Sequence, residues 1–210
     1  HFSDIATEHA LKLGMWNPET IDQYGWVLSK LHLEFNENIR SQPFDMKTTI
    51  GIPSRVIFPR YFQILVNDQI VANGSSIWTL LDLQKRRIVM PKRIGLNIPL
   101  NEGFEHYCRL PETIDDVDYQ FIETRKVRYS DIDTNKHMNN TRYIDWACDL
   151  IGLEFFEEHY FTSLDIYFKK EIAPNQNVDL YMLQQDQFIY IKGVVDEDDC
   201  FTIKFEYTTK

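Results

Sequence analysis

The stretch Leu164-Asp-Ile-Tyr-Phe-Lys-Lys-Glu-Ile172 repeats the apolar pattern of Leu31-His-Leu-Glu-Phe-Asn-Glu-Asn-Ile39 from the first half of the chain. Four apolar positions are in register, and both stretches alternate like half-buried strands. A helical pattern precedes each stretch and strand-like runs follow it, which indicates one unit repeated twice. We therefore expect an α+β fold in which each unit is a curved antiparallel sheet wrapped around one long helix. The two units are expected to pack as a pseudo-dimer.

Hydrophobic periodicity predicts the elements of the first half. Apolar residues at helical spacing predict a helix over residues 2–15 that ends near Gly14. Asn67-Asp68 has the composition of a turn. Alternation predicts four strands, which are Trp26–Phe35, Asp45–Ile52, Val56–Val66 and Ile70–Leu83.

The second half follows a segment rich in proline, glycine and acidic residues. This segment predicts a linker over 91–122 between domains 1–90 and 123–210. A helix is predicted over Asn139–Ile151, closing at Gly152. The predicted strands of this half are Glu123–Tyr129, Ser163–Glu171, Asn177–Gln184, Phe188–Val195 and Cys200–Thr208.

The composition favours a globular protein that buries a substantial core. The chain has 210 residues, and 43% of them are hydrophobic. A net charge of −10 argues against a nucleic-acid partner, because phosphate binding needs a basic surface. Three cysteines without a Cys-x-x-Cys pair favour reduced thiols and a cytoplasmic location. No apolar run approaches the ~20 residues needed to span a membrane.

Polar groups crowd into the segment Tyr129–Trp146. Its acids imitate the start of a calcium-binding loop, but Lys136 stands where that loop needs glycine and Arg142 where it needs a bidentate acid. A zinc site is also excluded, because His137 has no second His or Cys at ligand spacing. We predict no cofactor and no metal.

The same segment leads into the second helix. Backbone N–H groups around Met138 to Asn140 are predicted to favour a developing negative charge, as in an oxyanion site. One of Asn135, Asn139 and Asn140 is expected only to cap the helix. Amides, an imidazole and carboxylates at a helix start suit the hydrolysis of an activated acyl compound.

The run Asp131-x-Asp133-x-Asn135-x-His137-Met-Asn139-Asn140-x-x-Tyr143-Ile144-x-Trp146 resembles the signature of the acyl-[acyl carrier protein] thioesterases, which are tandem hotdog proteins. In the first half, Trp26-Val-Leu-Ser-Lys-Leu-His and the segment Ser76–Arg87 resemble the N-terminal hotdog of that family. The resemblance covers nearly the whole chain. It implies a strand before the first helix, and the sequence begins inside that helix.

The resemblance implies a site built from four residues. Glu171, with His137, would activate the attacking water; Asn135 and His137 would position the thioester; Asp133 would order them electrostatically. Some members have a cysteine after the glutamate, where this sequence has Ile172, so a cysteine nucleophile at that position is excluded. Strand alternation places Glu171 on the face opposite Leu164, so it reaches a site on the helix side only if a bulge intervenes or if the site faces the other half of the chain.

The first half carries Asn38 where the second carries Glu171, so catalysis is expected in the second half alone. The implied function is hydrolysis of fatty acyl-[acyl carrier protein] thioesters in fatty-acid synthesis, with the carrier protein as partner. A homodimer is compatible with it. Lys136 and Arg142 flank the motif and are the expected contacts for an acidic carrier. An acyl-CoA thioesterase and a non-catalytic protein that binds or senses acyl thioesters are the alternatives.

Overall fold

The computed structural model describes residues 2–15, 22–38, 42–99, 101, 106–133 and 135–210. Ile39, the last position of the first repeat, and part of the predicted linker lie outside these residues. The chain divides into two compact units, His1–Pro111 and Glu112–Lys210. The elements of the first unit are α1 (Phe2–Lys12), β1 (Tyr24–Phe35), β2 (Asp45–Ile50), β3 (Phe58–Val66), β4 (Gln69–Asp82), β5 (Arg87–Ile88) and a 3-10 turn (Pro91–Ile94).

The sheet of the first unit is antiparallel, in the order β2-β3-β4-β1, and β5 pairs with the end of β4. Asn67 and Asp68 join β3 to β4, with φ angles of 49° and 64°. Left-handed backbone at both positions is the geometry of a tight two-residue hairpin turn, which short polar side chains tolerate. The turn predicted at this dipeptide is confirmed.

The α1 helix covers one face of this sheet. The ring of Phe2 meets that of Phe62 edge-on, with centroids 4.9 Å apart. Two residues earlier on β3, Arg60 reaches His9 of the helix. The predicted helix over residues 2–15 forms and ends slightly early, because Gly14 adopts a φ of 66° that terminates it.

The second unit has its own antiparallel sheet, in the order β7-β10-β9-β8-β6. Its elements are β6 (Gln120–Lys126), a 3-10 turn (Tyr129–Asp131), α2 (Asn140–Ile151), α3 (Leu153–Glu158), β7 (His159–Phe168), β8 (Asn177–Gln185), β9 (Phe188–Val195) and β10 (Asp198–Thr209). The short helix α3 has no counterpart among the predicted elements.

The α2 helix packs on the sheet through one apolar face. Tyr143, Trp146 and Ala147 are buried, and the Tyr143 ring meets Phe168 and Phe201 edge-on at 5.3 and 4.8 Å. Asn139 caps the helix by accepting a hydrogen bond from the amide of Thr141 over 2.9 Å. The second predicted helix is therefore confirmed.

Beside the polar segment, two strands end earlier than predicted. The strand predicted over Ser163–Glu171 stops at Phe168, because the amides of Lys169 and Lys170 both turn to the carbonyl of Cys200, at 2.8 and 3.0 Å. The strand predicted to reach Tyr129 stops at Lys126. Both errors fall beside the polar segment, where the chain leaves the sheet.

None of the helices in the described ranges combines the length and the apolar character that crossing a membrane requires.

Candidate active site

The polar segment forms a closed loop between the 3-10 turn and α2. Ile132 and Met138 form a β-bridge, and the amide of Asp133 donates to the carbonyl of His137 over 2.9 Å. At its tip Lys136 has a φ of 63°, the left-handed conformation in which glycine is the usual residue. The loop makes this turn without glycine, and its cross-links hold the strained residue in place.

Asp133 holds the loop with its side chain. Its Oδ1 accepts hydrogen bonds from the amides of Asn135, at 2.8 Å, and His137, at 3.4 Å. A carboxylate that accepts two local amides fixes the backbone between them. Asp133 therefore orders the loop through hydrogen bonds to its backbone.

Asp131 anchors the start of the loop to α2. The side chain is buried; its Oδ2 accepts from the Arg128 amide at 2.7 Å, and its Oδ1 accepts from the indole Nε1 of Trp146 at 3.4 Å. A buried carboxylate needs such donors. The sequence placed Asp131 in the polar segment. In the structure its side chain anchors the loop to α2.

His137 and Glu171 come together, although the sequence separates them by a helix and a strand. Nε2 of His137 lies 3.6 Å from Oε2 of Glu171, and the side chains are 39% and 35% exposed. The distance suits an ion pair and is slightly long for a direct hydrogen bond. An imidazole and a carboxylate at this separation can share the activation of one water.

The end of β7 explains how Glu171 reaches this position. Because the strand stops at Phe168, alternation no longer governs the direction of the Glu171 side chain. The amide of Met138 then donates to the carbonyl of Ile172 over 2.9 Å, and both of these residues are buried. Met138 directly follows His137, and Ile172 directly follows Glu171. The hydrogen bond between them therefore sets the distance between His137 and Glu171.

Asn135 stands apart from the pair. It lies exposed near the loop tip, and within the part of the chain that the structure describes its side chain forms no hydrogen bond. Its amide is available to a ligand that approaches the loop. Of the four predicted residues, two are brought together, one supports their loop, and one is exposed beside them.

We predicted that backbone amides around Met138 to Asn140 form an oxyanion site, and for two of these amides the prediction is wrong. The Met138 amide is bonded to Ile172, and the Asn139 amide donates to the carbonyl of Asp131 over 2.8 Å. A committed donor cannot stabilise a new negative charge. The amides of Met138 and Asn139 are therefore not available to a developing oxyanion.

Tyr143 brings a hydroxyl to the base of the site. Burial raises the pKa of Tyr143 well above its usual range, as do the charges of Cys200 and Glu171, while a hydrogen bond with the Ile172 backbone acts in the opposite direction. The phenol therefore stays protonated. Tyr143 is part of the sequence motif, and its being Tyr and not Phe was the available signal for a hydroxyl at this position.

The two predicted carrier contacts differ in their surroundings. Arg142 pairs with Asp145 of the same helix, with Nη1 and Oδ2 2.7 Å apart. Lys136 is exposed at the loop tip, and no carboxylate among the described residues pairs with it. Lys136 therefore offers the more available positive charge.

The fold has known relatives. An acyl-ACP thioesterase from Bacteroides thetaiotaomicron superimposes with a TM-score of 0.84 at 21% identity, covering 99% of this chain and 87% of that one. The 12:0-ACP thioesterase from Umbellularia californica gives 0.79 at 16%, covering 100% and 88%. At such identities the likeness concerns the fold. The class of protein is therefore an α+β protein of the hotdog fold.

A family match lies in the second unit. Residues 114–207 match the family described as the acyl-ACP thioesterase C-terminal domain. The matched residues include the loop and Glu171.

Curated relatives extend the similarity into the first unit. A chloroplastic palmitoyl-acyl carrier protein thioesterase from Cuphea hookeriana is 25% identical over 81% of this chain. A chloroplastic oleoyl-acyl carrier protein thioesterase from Arabidopsis thaliana is 21% identical over 73%. The chain spans 45% and 46% of the lengths of these two relatives.

Proposed function

We propose that the protein hydrolyses fatty acyl-[acyl carrier protein] thioesters and releases free fatty acids in fatty-acid synthesis. The observation that carries this proposal is the 3.6 Å approach of His137 to Glu171, in a loop that lies within the matched family domain. Both groups are partly exposed, so a substrate can reach them.

In the proposed reaction, Glu171 and His137 take a proton from water as its oxygen attacks the thioester carbonyl carbon. The carbon–sulfur bond then breaks, and the leaving sulfur receives a proton and departs as the thiol. General acid–base help of this kind contributes about 10²–10⁴-fold. Asn135 and His137 would position the carbonyl, and Asp133 would keep the loop in shape.

Direct attack by water is supported by the residue after Glu171. Ile172 is fully buried and has no nucleophilic atom. A covalent acyl-enzyme at this position would need a thiol or hydroxyl there. The proposed pathway therefore has no acyl-enzyme intermediate at residue 172.

We further propose that the two units are tandem hotdogs packed as a pseudo-dimer, with catalysis in domain 123–210, a supporting domain 1–90 and a connecting segment 91–122. The carrier protein is the proposed partner, without nucleic acid, membrane or cofactor, and a homodimer is compatible with this arrangement. The proposed location is the cytoplasm. The sheet and helix found in each unit, described separately, support the repeat.

The function is tested by measuring thiol release from one acyl group presented on the carrier protein and on CoA, across several chain lengths. The expected result is a kcat/KM at least tenfold higher on the carrier protein. Faster turnover on CoA would show an acyl-CoA thioesterase. Binding of both thioesters without thiol release would show a binding or sensing protein and overturn the enzyme proposal.

A further inference from the structure

Most of the cations of the second unit have a partner in the described chain. Lys204 lies over the rings of Phe188 and Tyr190, and Lys210 donates hydrogen bonds to two carbonyls at the end of α3. Five further cations pair with carboxylates, and these are Arg125, Arg142, Lys169, Lys170 and Lys192. Such charges are already neutralised and offer little to a second protein.

Three other cations of this unit lie beside the catalytic loop. Lys126 ends β6, Arg128 follows two residues later, and Lys136 is at the loop tip; all three are exposed. None of them pairs with a carboxylate or lies over a ring in the part of the chain that the structure describes. Of the acids between them, Asp131 is buried and Asp133 accepts from backbone amides. The exposed charges of this segment are therefore all positive, on a chain whose net charge is −10.

An aromatic ring lies among these cations. Tyr129 is 96% exposed, whereas the other tyrosines described in the second unit are buried or half-buried. Its ring leaves a large apolar area in water, next to the positive charge of Arg128. Tyrosine and arginine are among the residue types that contribute most to the binding energy of protein interfaces. This combination therefore suits contact with another protein.

The backbone around Tyr129 is held in place by hydrogen bonds. Val127 is buried; its amide donates to the carbonyl of Gln176 over 2.9 Å, and its carbonyl accepts from the amide of Asn175 over 3.3 Å. The carbonyl of Tyr129 accepts from the amide of Ile132 over 3.2 Å. A ring presented on a fixed backbone can bind a partner with little further loss of backbone freedom.

Asp131 connects this segment to the loop. Its Oδ2 accepts from the amide of Arg128 over 2.7 Å, and its carbonyl accepts from the amide of Asn139, the cap of α2, over 2.8 Å. The loop that carries His137 therefore starts where the exposed segment ends. A protein bound to Arg128 and Tyr129 would lie next to the candidate active site.

We propose that Lys126, Arg128, Tyr129 and Lys136 form a docking surface for an acidic protein that carries the acyl group, with Tyr129 as its apolar anchor. The identity of this partner rests on the proposed function, in which the substrate is attached to a carrier protein. Because the chain as a whole is acidic, an acidic partner is attracted only where the local charge is positive. The docking surface supplies that charge beside the site.

Calorimetry with the unacylated carrier protein, bearing its phosphopantetheine arm, tests the docking surface directly. Tyr129→Ala and Arg128→Glu should each raise the Kd by about tenfold or more. High salt should weaken binding of the wild type and of Tyr129→Ala, and it should affect Arg128→Glu less. Unaltered Kd values in both variants would overturn the proposal.

Two matched controls change the same residue types elsewhere. Phe121→Ala removes an exposed aromatic ring near the opposite end of β6, and Lys92→Glu reverses an exposed charge in the first unit. Neither should alter the Kd. An equal rise in the controls would mean that binding follows the overall charge or exposed apolar area of the chain, and it would refute a localised surface.

Turnover separates docking from chemistry. With one acyl group presented on the carrier protein and on CoA, Tyr129→Ala should raise KM on the carrier by about tenfold and change kcat/KM on CoA by less than about twofold. Equal losses on both substrates would assign Tyr129 to the shape of the loop and refute the docking role. If the wild type releases no thiol from either substrate, the proposed function fails, and the Kd comparison still decides the docking surface.

An anionic membrane is the other partner that such a surface could meet. Wild-type cosedimentation with vesicles of phosphatidylcholine and phosphatidylglycerol that is lost in Tyr129→Ala would assign the surface to lipid and overturn the carrier proposal. Thermal melts verify that each variant folds, as expected for exposed side chains. If Arg128→Glu does not fold, Lys126→Glu makes the same charge reversal at the end of β6.

Discussion

The amide of Met138 donates to the carbonyl of Ile172 over 2.9 Å, and this bond ties together the residues that follow His137 and Glu171. This main-chain hydrogen bond thus holds the side chains of His137 and Glu171 at their distance of 3.6 Å. Neither side chain has to hold the other in place. The pair is pre-organised before any substrate arrives.

The first prediction concerns the joint action of the pair. His137→Ala and Glu171→Gln should each lower kcat on the acyl carrier substrate by about 10²–10⁴-fold. Because both act on the same water, the double variant should be little worse than the more damaging single variant. Thiol release under single-turnover conditions measures all three.

The matched control is Glu154→Gln, which makes the same change on the exposed face of α3. It should leave kcat unaltered. If the losses of kcat in His137→Ala and Glu171→Gln multiply in the double variant, the two residues act in separate steps. That result would contradict their joint action on one water.

A second prediction separates the charge of Asp133 from its hydrogen bonds. Asp133→Asn keeps an oxygen that can accept from the amides of Asn135 and His137, whereas Asp133→Ala does not. If loop shape is what matters, the Asn variant should retain most of kcat and the Ala variant should lose about tenfold or more. Equal losses in both would instead assign Asp133 an electrostatic role.

The third prediction concerns stability. Asp131→Ala removes the acceptor for the Arg128 amide and for the Trp146 indole, and it leaves the buried indole donor unsatisfied. The free energy of unfolding should fall by about 1–3 kcal/mol. Urea unfolding monitored by Trp fluorescence measures this loss. Asp131→Asn retains an acceptor and should lose less, and the reverse order would contradict the assignment.

A fourth prediction tests carrier recognition at Lys136. Lys136→Glu should raise KM on an acidic acyl carrier protein severalfold with kcat nearly unchanged, because the exposed charge steers association. The effect should shrink at high salt. Lys92→Glu, an exposed change in the first unit, is the control. An unaltered KM and salt dependence would remove Lys136 from the docking surface.

The fifth prediction is a pH dependence of stability. Burial, then the charges of Arg60 and Lys12, lower the pKa of His9. As the pH falls below about 6.5, the unfolded chain binds this proton before the folded one, so stability declines. The Tm should therefore drop less between pH 7.5 and 5.5 in His9→Gln than in the wild type. Identical drops would show that His9 does not contribute.

The elements with strong periodicity were predictable from the sequence. Both long helices and most strands appear where alternation or helical spacing placed them, since these patterns reflect one buried face. The region near Glu171 was not predictable in detail. The direction of the chain before Glu171 depends on the carbonyl of Cys200 on β10, which is distant in sequence. This carbonyl accepts hydrogen bonds from the amides of Lys169 and Lys170.

The site was predictable in its residue types but not in how its backbone groups are used. The family resemblance implied His137 in the motif and Glu171 on a later strand, and the structure brings their side chains to 3.6 Å. Two of the amides assigned to an oxyanion, those of Met138 and Asn139, are instead bound to Ile172 and Asp131, through contacts that spacing cannot reveal.

The bond from Met138 to Ile172 joins main-chain atoms only, and that has a consequence for divergence. A substitution at Met138 or Ile172 can change the volume of the side chain, or even introduce a thiol, without removing the main-chain hydrogen bond between them. Selection on the surrounding side chains is thereby separated from selection on the spacing of His137 and Glu171. Proteins descended from one ancestor could keep the same distance between His137 and Glu171 after most of the neighbouring residues had changed.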